Sequence, residues 1–174
     1  MRLLFDITHP ADVHQFRFLI EKLKVSNEVI VIARKNKESV IDLLRSYNIS
    51  YIPRMGFNNI FGKLLGLIVI NLQILVITRK FKPDIMIGST GNCYVAQVSK
   101  LLKIPSIILD DTEHTSFQNK LTFPFATKII TPSSYFLNLG KKQIKYDGSK
   151  EMFYLSKNYF KPNTLIKNEF TKYP

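Results

Sequence analysis

Asp110-Asp111-Thr112-Glu113-His114 places three carboxylates and an imidazole within five residues, directly after the apolar run Ile107-Ile108-Leu109. Such groups serve as general acids and bases, as metal ligands, or as hydrogen-bond partners. Asp110 leaves an apolar strand, so its carboxyl is expected beside low-dielectric surroundings, which raise a carboxyl pKa toward the range useful in proton transfer. Asp110, Asp111, Glu113 and His114 are therefore the catalytic candidates. A metal centre needs ligands that converge, and no matching acidic pair occurs elsewhere; neither metal nor cofactor is expected. Helix capping by Asp111 or Thr112 is the structural alternative. The following stretch, Ser116 to Lys120, adds amide and ammonium donors, with Asn119 as a candidate for binding hydroxyls or phosphate.

Three more polar stretches follow apolar runs. Thr8 and His9 come after the first, and His9 is the fifth catalytic candidate. Gly88-Ser89-Thr90-Gly91-Asn92 puts small residues between a strand and a helix, where a ligand can approach free helix N–H groups. It has neither the Gly-Lys-Ser/Thr of a Walker loop nor the spacing of a dinucleotide fingerprint, and a tight turn needing Gly91 explains it equally well. Ser133 follows a later run. His14, in the first turn of a helix, is expected packed or exposed rather than functional, and Asp12 reads as a first-turn charge complementing the helix dipole.

The elements that must position these residues alternate. Strands are expected at 2–7, 28–33, 49–52 (closed by Pro53), 84–88, 106–109, 126–131 and, less regularly, 144–148. Helices are expected after Pro10, around Val40 to Tyr47, over 58–81, around Tyr94 to Leu102, and ending near Gly140. Continuous apolar strands separated by helices predict an α/β fold, a doubly wound Rossmann-like parallel sheet of six or seven strands ordered 3-2-1-4-5-6. Ligands of such sheets bind at the carboxyl ends of the strands. Thr8, His9, Gly88, Ser89, Thr90, Gly91, Asp110 to His114 and Ser133 should share that edge. Residues 1–148 form this domain, and 149–174 read as a linker or the start of something further.

The 174 residues suffice for a domain with a real core. One cysteine, Cys93, rules out an intramolecular disulfide framework. The formal charge of +12 favours anionic partners, but no helix-turn-helix, finger or stacking signature accompanies it, so nucleic acid is not expected. No signal segment is evident, and a cytoplasmic protein is expected.

"FDITHPADVHQF", "KPDIMIGSTGNCYVA", "IPSIILDDTEHTSFQNKLTFPFATKIITPS" and "LGKKQIKYDGSKEMFYLSKNYFKP" resemble domain-of-unknown-function family 354 over nearly the whole chain. More distantly, the chain is similar to the N-terminal half of GT-B glycosyltransferases, among them the peptidoglycan lipid-linked N-acetylglucosaminyl transferase, and to the non-hydrolysing UDP-N-acetylglucosamine 2-epimerases. The resemblance implies an acceptor-side half acting on a nucleotide-sugar and a sugar acceptor that can be lipid-linked. It maps the glycine-containing loop onto Gly88–Asn92 and the acidic loop onto Asp110–Lys120. The first loop, "DITHPADVH", lacks the glycines common in those relatives. Because GT-B enzymes bind the donor mostly with a C-terminal domain, a truncated or split protein, inactive as this chain alone, is the expectation. The alternative is a non-catalytic binding or membrane-recruiting subunit.

The helix over 58–81 is apolar all round, with Lys63, Arg79, Lys80 and Lys82 flanking it and no acid in 54–83. Such a helix either touches an anionic membrane peripherally, at its inner face, or is sandwiched against a neighbouring element. In the first case Leu64, Leu67, Ile68 or Leu72 should be exposed beside Lys63 and Arg79.

Overall fold

A computed structural model describes residues 1–57 and 60–161; of Glu38 and residues 60–64 it describes the backbone alone. Seven strands form one sheet: β1 (Arg2–Ile7), β2 (Glu28–Arg34), β3 (Ile52–Arg54), β4 (Ile85–Ser89), β5 (Ser106–Leu109), β6 (Lys128–Pro132) and β7 (Gln143–Tyr146). Their order is 3-2-1-4-5-6-7, and every neighbouring pair is parallel. The expected doubly wound sheet is present, and β7 extends it beyond β6. The helices are α1 (Pro10–Lys24), α2 (Glu38–Ser46), α3 (Ile60–Phe81), α4 (Cys93–Leu102), α5 (Ser116–Thr122) and α6 (Met152–Leu155).

Alternation along β1 divides the core. Leu3, Phe5 and Ile7 pack with Phe16 and Ile20 of α1 and Val40 and Leu44 of α2. Leu4 points the other way, toward Ile70 and Ile74 of α3 and Val95 and Val98 of α4. Successive strand side chains point to opposite faces, so one apolar strand supplies two cores. Asp6 shares the parity of Leu4, yet is fully buried.

Three boundaries differ from expectation. β3 covers Ile52–Arg54 with Pro53 inside it, while Ile49 turns into the core. β3 lies at the sheet edge, where a residue without an N–H is tolerated. Residues 116–122 form a helix, α5, rather than a polar loop. No helix ends near Gly140; a 3-10 turn, Gly140–Lys142, begins there. The Gln143 amide donates to Leu137 O and its carbonyl accepts from Leu139 N, so a side chain satisfies the backbone that a helix would have satisfied.

The segment after β7 does not project away. Tyr154 lies 5.5 Å from the His14 ring and Tyr159 stacks on Phe18 at 4.5 Å, which fastens residues 149–161 to α1. Residues 162–174 of the expected linker lie outside the described residues. Among the described residues no helix is long and apolar enough to cross a membrane.

Candidate functional site at the carboxyl edge

Pro10 starts α1 with its φ already set and no N–H to lose. His9 is the residue before it, at the N-cap, and its Nδ1 accepts from the Ala11 N–H at 3.3 Å. That bond assigns the proton to Nε2, so the exposed imidazole presents an N–H donor beyond β1. Asp12 does more than complement the dipole. Its Oδ2 accepts from the N–H groups of Thr8 (3.0 Å) and His9 (2.8 Å), and its Oδ1 accepts from the Ser89 hydroxyl at 2.6 Å. Burial pushes this carboxyl above its ordinary value, with those hydrogen bonds opposing. Asp12 thus ties the loop after β1 to the end of β4.

Beneath Thr8 lies a buried ion pair. Arg54, from the end of β3, sets its Nε 2.8 Å from Asp6 Oδ1, with both side chains essentially inaccessible. A second guanidinium nitrogen donates to the Thr8 hydroxyl at 2.9 Å. The Asn92 amide donates to Asp6 O at 3.1 Å, which brings the loop after β4 to the same place. Gly91 in that loop has φ +76, and a Cβ there would stand 2.9 Å from Gln118 Oε1. The left-handed backbone is why the turn takes glycine. Gly88 is buried in β4, with the Asn92 side chain 3.2 Å from where a Cβ would stand. Cys93, behind the loop, is buried with its thiol pushed up to about 11 by burial, which leaves it unsuited to nucleophilic work.

The acidic loop after β5 splits into unlike members. Asp110 is buried: Oδ2 accepts from the Tyr135 hydroxyl at 2.6 Å, Oδ1 accepts from the Thr112 N–H at 3.4 Å, and the Thr90 hydroxyl also bonds the carboxyl. Burial raises its pKa, opposed by the hydrogen bonds and aided by the charge of Asp111. Asp111 is half-buried. Its Oδ2 sits 2.9 Å from Lys150 Nζ, and its Oδ1 accepts from the hydroxyls of Thr90 (3.2 Å) and Thr112 (3.1 Å). Burial works to raise Asp111 as well, but Lys150 and the hydroxyls outweigh it and hold the carboxyl below its ordinary value. Capping of α5 by Asp111 or Thr112 is absent: the N-cap is Thr115, without a side-chain cap bond.

The remaining candidates are dispersed. Glu113 accepts from the Phe136 N–H at 3.2 Å, and His114 is exposed. Ser133 donates to Tyr146 O at 2.8 Å and contacts the Asp147 carboxylate, at the ends of β6 and β7. Asn119 is buried on α5, its Oδ1 held by Thr115. It lines a separate groove of about 540 Å³ with Glu113, Ser116 and Lys142, over a floor of Phe123 and Leu137. His14 is wedged between Tyr47 and Tyr154, and burial, followed by the charge of Arg17, lowers its pKa. Among the described residues no group of three or more His, Cys, Asp or Glu is placed to hold a metal ion. The bonded chain His9–Asp12–Ser89 and Thr90–Asp111–Lys150 therefore joins the ends of β1, β4, β5 and β7 along one edge.

Sequence reasoning did not single out Arg54, Tyr135 or Lys150. Asp6 within an apolar strand is a signal that a buried partner must exist. Nothing in the sequence distinguishes Arg54 from the other 24 basic residues as that partner.

Residues 1–172 match the family described as protein of unknown function, DUF354. The chain belongs to that family. An uncharacterized protein of Methanocaldococcus jannaschii is 27% identical to it over 154 residues, which are 84% of this chain and 45% of that protein. The UDP-GlcNAc 2-epimerase of Neisseria meningitidis, solved bound to UDP-GlcNAc, superposes with a TM-score of 0.73 at 15% identity, covering 100% of this chain and 53% of that one. Acinetobacter baumannii MurG superposes with a TM-score of 0.66 at 16% identity, covering 85% and 46%. The DUF354 chain therefore has the Rossmann-like fold found in the GT-B glycosyltransferases and the epimerases, and it spans about half the length of these relatives.

Proposed function

We propose that this chain is the acceptor-side half of a sugar-nucleotide enzyme, a GT-B-type glycosyltransferase or a UDP-sugar epimerase-like protein. The observation that carries the reading is the divided acid pair at the carboxyl edge. Asp110 is pushed up by burial, while Asp111 beside it is held ionised by Lys150. Neighbouring groups whose environments drive their pKa values apart are how one site holds both a proton carrier and a fixed charge. In this reading Asp111 accepts a hydrogen bond from a sugar hydroxyl, and the Nε2–H of His9 donates to the same polyhydroxylated ligand. Asp110 takes or returns the proton of the reacting group through Oδ1, the oxygen that Tyr135 does not hold. Tyr135 fixes the other oxygen, so the free lone pairs keep one direction. Thr8 and Thr90 supply further hydroxyls, and the turn at Gly91 lets a ligand come close to backbone N–H groups.

The test is amide and side-chain NMR of the 174-residue chain titrated with UDP-N-acetylglucosamine and separately with N-acetylglucosamine. Shifts are expected at Thr8, His9, Gly91 and Asp111, with weakened binding in Asp111→Asn. No turnover of the nucleotide-sugar by this chain alone is expected. Perturbations confined to other surfaces, or none at saturating ligand, would sink the proposal. A second reading, a non-catalytic docking subunit, is favoured by one specific observation, the exposed apolar side chains of α3. Under it, neither sugar ligand perturbs the carboxyl edge.

A further inference from the structure

Along α3 a row of apolar side chains stands open to water. Leu65, Ile68, Leu72 and Val76 of α3 are 62%, 64%, 55% and 66% exposed. At about 100° per residue they fall within one narrow sector of the helix, and Arg79 continues the same line. The opposite sector, Ile70, Ile74 and Phe81, is in the core. The polar residues that interrupt the apolar run are spent internally: Asn71 donates to Gln97 of α4 at 2.7 Å, and Gln73 accepts from Met55 N at 3.0 Å. Between Leu65 and Val76, what α3 leaves outside is therefore apolar. A groove of about 350 Å³ runs between α3 and α4, walled by Ile68, Leu72, Leu75, Val98 and Leu101, the last 66% exposed.

The expected sandwiching of α3 is half correct: one side of the helix is covered and the other is open. Of the apolar residues expected to be exposed, Ile68 and Leu72 are; Leu67 is partly buried. The side chains of Leu64 and Lys63 lie outside those described.

Neither α3 nor α4 carries an acid, and the carboxylate nearest their last turns in the chain, Asp84, accepts from the Arg2 N–H. No Asp or Glu occurs between Asp42 and Asp84, nor between Asp84 and Asp110. In a parallel sheet both helices run from the carboxyl edge back to the amino edge, so their last turns lie at the same end. There Arg79, Lys80, Lys82, Lys100 and Lys103 are all exposed. Two copies of this chain meeting through the face would bring two such cationic ends and two net charges of +12 together. A bilayer carrying anionic headgroups is complementary to both parts, its acyl boundary taking the apolar ridge and its headgroups the cations.

We propose that the α3–α4 face docks this chain peripherally on an anionic lipid bilayer, with Leu65, Ile68, Leu72 and Val76 inserted and Arg79, Lys80, Lys100 and Lys103 on the headgroups. The inference does not depend on the chemistry of the carboxyl edge. It is tested by co-sedimentation of the 174-residue chain with phosphatidylcholine vesicles and with vesicles in which phosphatidylglycerol replaces part of the phosphatidylcholine. Each is run at about 0.02 M and about 0.5 M salt, where screening lengths differ severalfold. Binding is expected on the anionic vesicles at low salt, falling at high salt. Neutralising Arg79 or Lys80 to Ala should weaken it about fivefold each. Ile68→Glu with Val76→Glu, at positions already open to water, should abolish binding while the circular dichroism spectrum stays native. Three results would overturn the proposal: no binding at low salt, equal binding to neutral and anionic vesicles, or wild-type binding by the double variant. A concentration-dependent dimer undone by the same double variant, without vesicle binding, would also overturn it and give the face to a second copy.

Discussion

Arg54→Met tests the internal support of the candidate site. The substitution keeps an unbranched side chain of similar reach and removes the only charge that faces Asp6 at bonding distance among the described residues. Asp6 is 0% exposed, and its Oδ2 has no partner even in the intact pair. Without Arg54 the carboxylate is an uncompensated buried charge, and breaking such a pair costs about 3–5 kcal/mol. The bond to the Thr8 hydroxyl goes too, as does the contact of the guanidinium with the Tyr94 ring, 5.5 Å away. For a domain of this size each kcal/mol moves Tm by about 2–4 °C, so a fall of roughly 6–20 °C is expected. Urea unfolding followed by circular dichroism gives the free energy directly. Adding Asp6→Asn to Arg54→Met should return a large part of the loss, because the partner's charge is gone. A deficit below about 1 kcal/mol, or a double variant no better than the single, would refute the reasoning.

Lys150→Met removes the ammonium that holds Asp111 down. A carboxyl depressed in the folded state contributes stability above its unfolded pKa and loses it as pH falls through the folded value. The variant should therefore be about 1 kcal/mol less stable at pH 7, with the deficit shrinking as pH falls below the ordinary carboxylate range, by urea unfolding across that span; a loss that does not change with pH would contradict the electrostatic account. Gly91→Ala forces a side chain into φ +76, with Gln118 Oε1 2.9 Å from the new Cβ. The end of Gln118 can move away, so the backbone cost dominates and about 1 kcal/mol of stability should be lost. An unchanged Tm would mean that this turn does not need its glycine.

The order of the sheet was legible because β1, β2, β4, β5 and β6 are short, mostly apolar runs and each crossover as far as β6 contains a helix. Parallel pairing buried on both faces requires that pattern, and right-handed crossovers leave few ways to arrange it. The edge to which the candidate residues belong followed from the same topology, since Thr8, Thr90 and Asp111 each come just after a strand. β3 was misplaced because an edge strand tolerates Pro53, which the sequence offers as a stop. The helix over Ser116–Thr122 was missed because its polar residues carry no apolar period.

What the sequence could not determine is which polar groups face one another. Asp110 and Asp111 are the same residue type, one position apart. Only the tertiary structure puts Tyr135 on one and Lys150 on the other, and so divides their proton affinities. Likewise the run of apolar residues in α3 shows that the helix has more hydrophobic surface than one core stripe can cover. Which side stays open was decided by where α4 and the sheet lie against it. Composition and periodicity are properties of neighbours along the chain and fix the elements. Electrostatic pairing and exposure are properties of neighbours in space, and partners 25, 39 or 48 positions apart leave no local mark on either sequence.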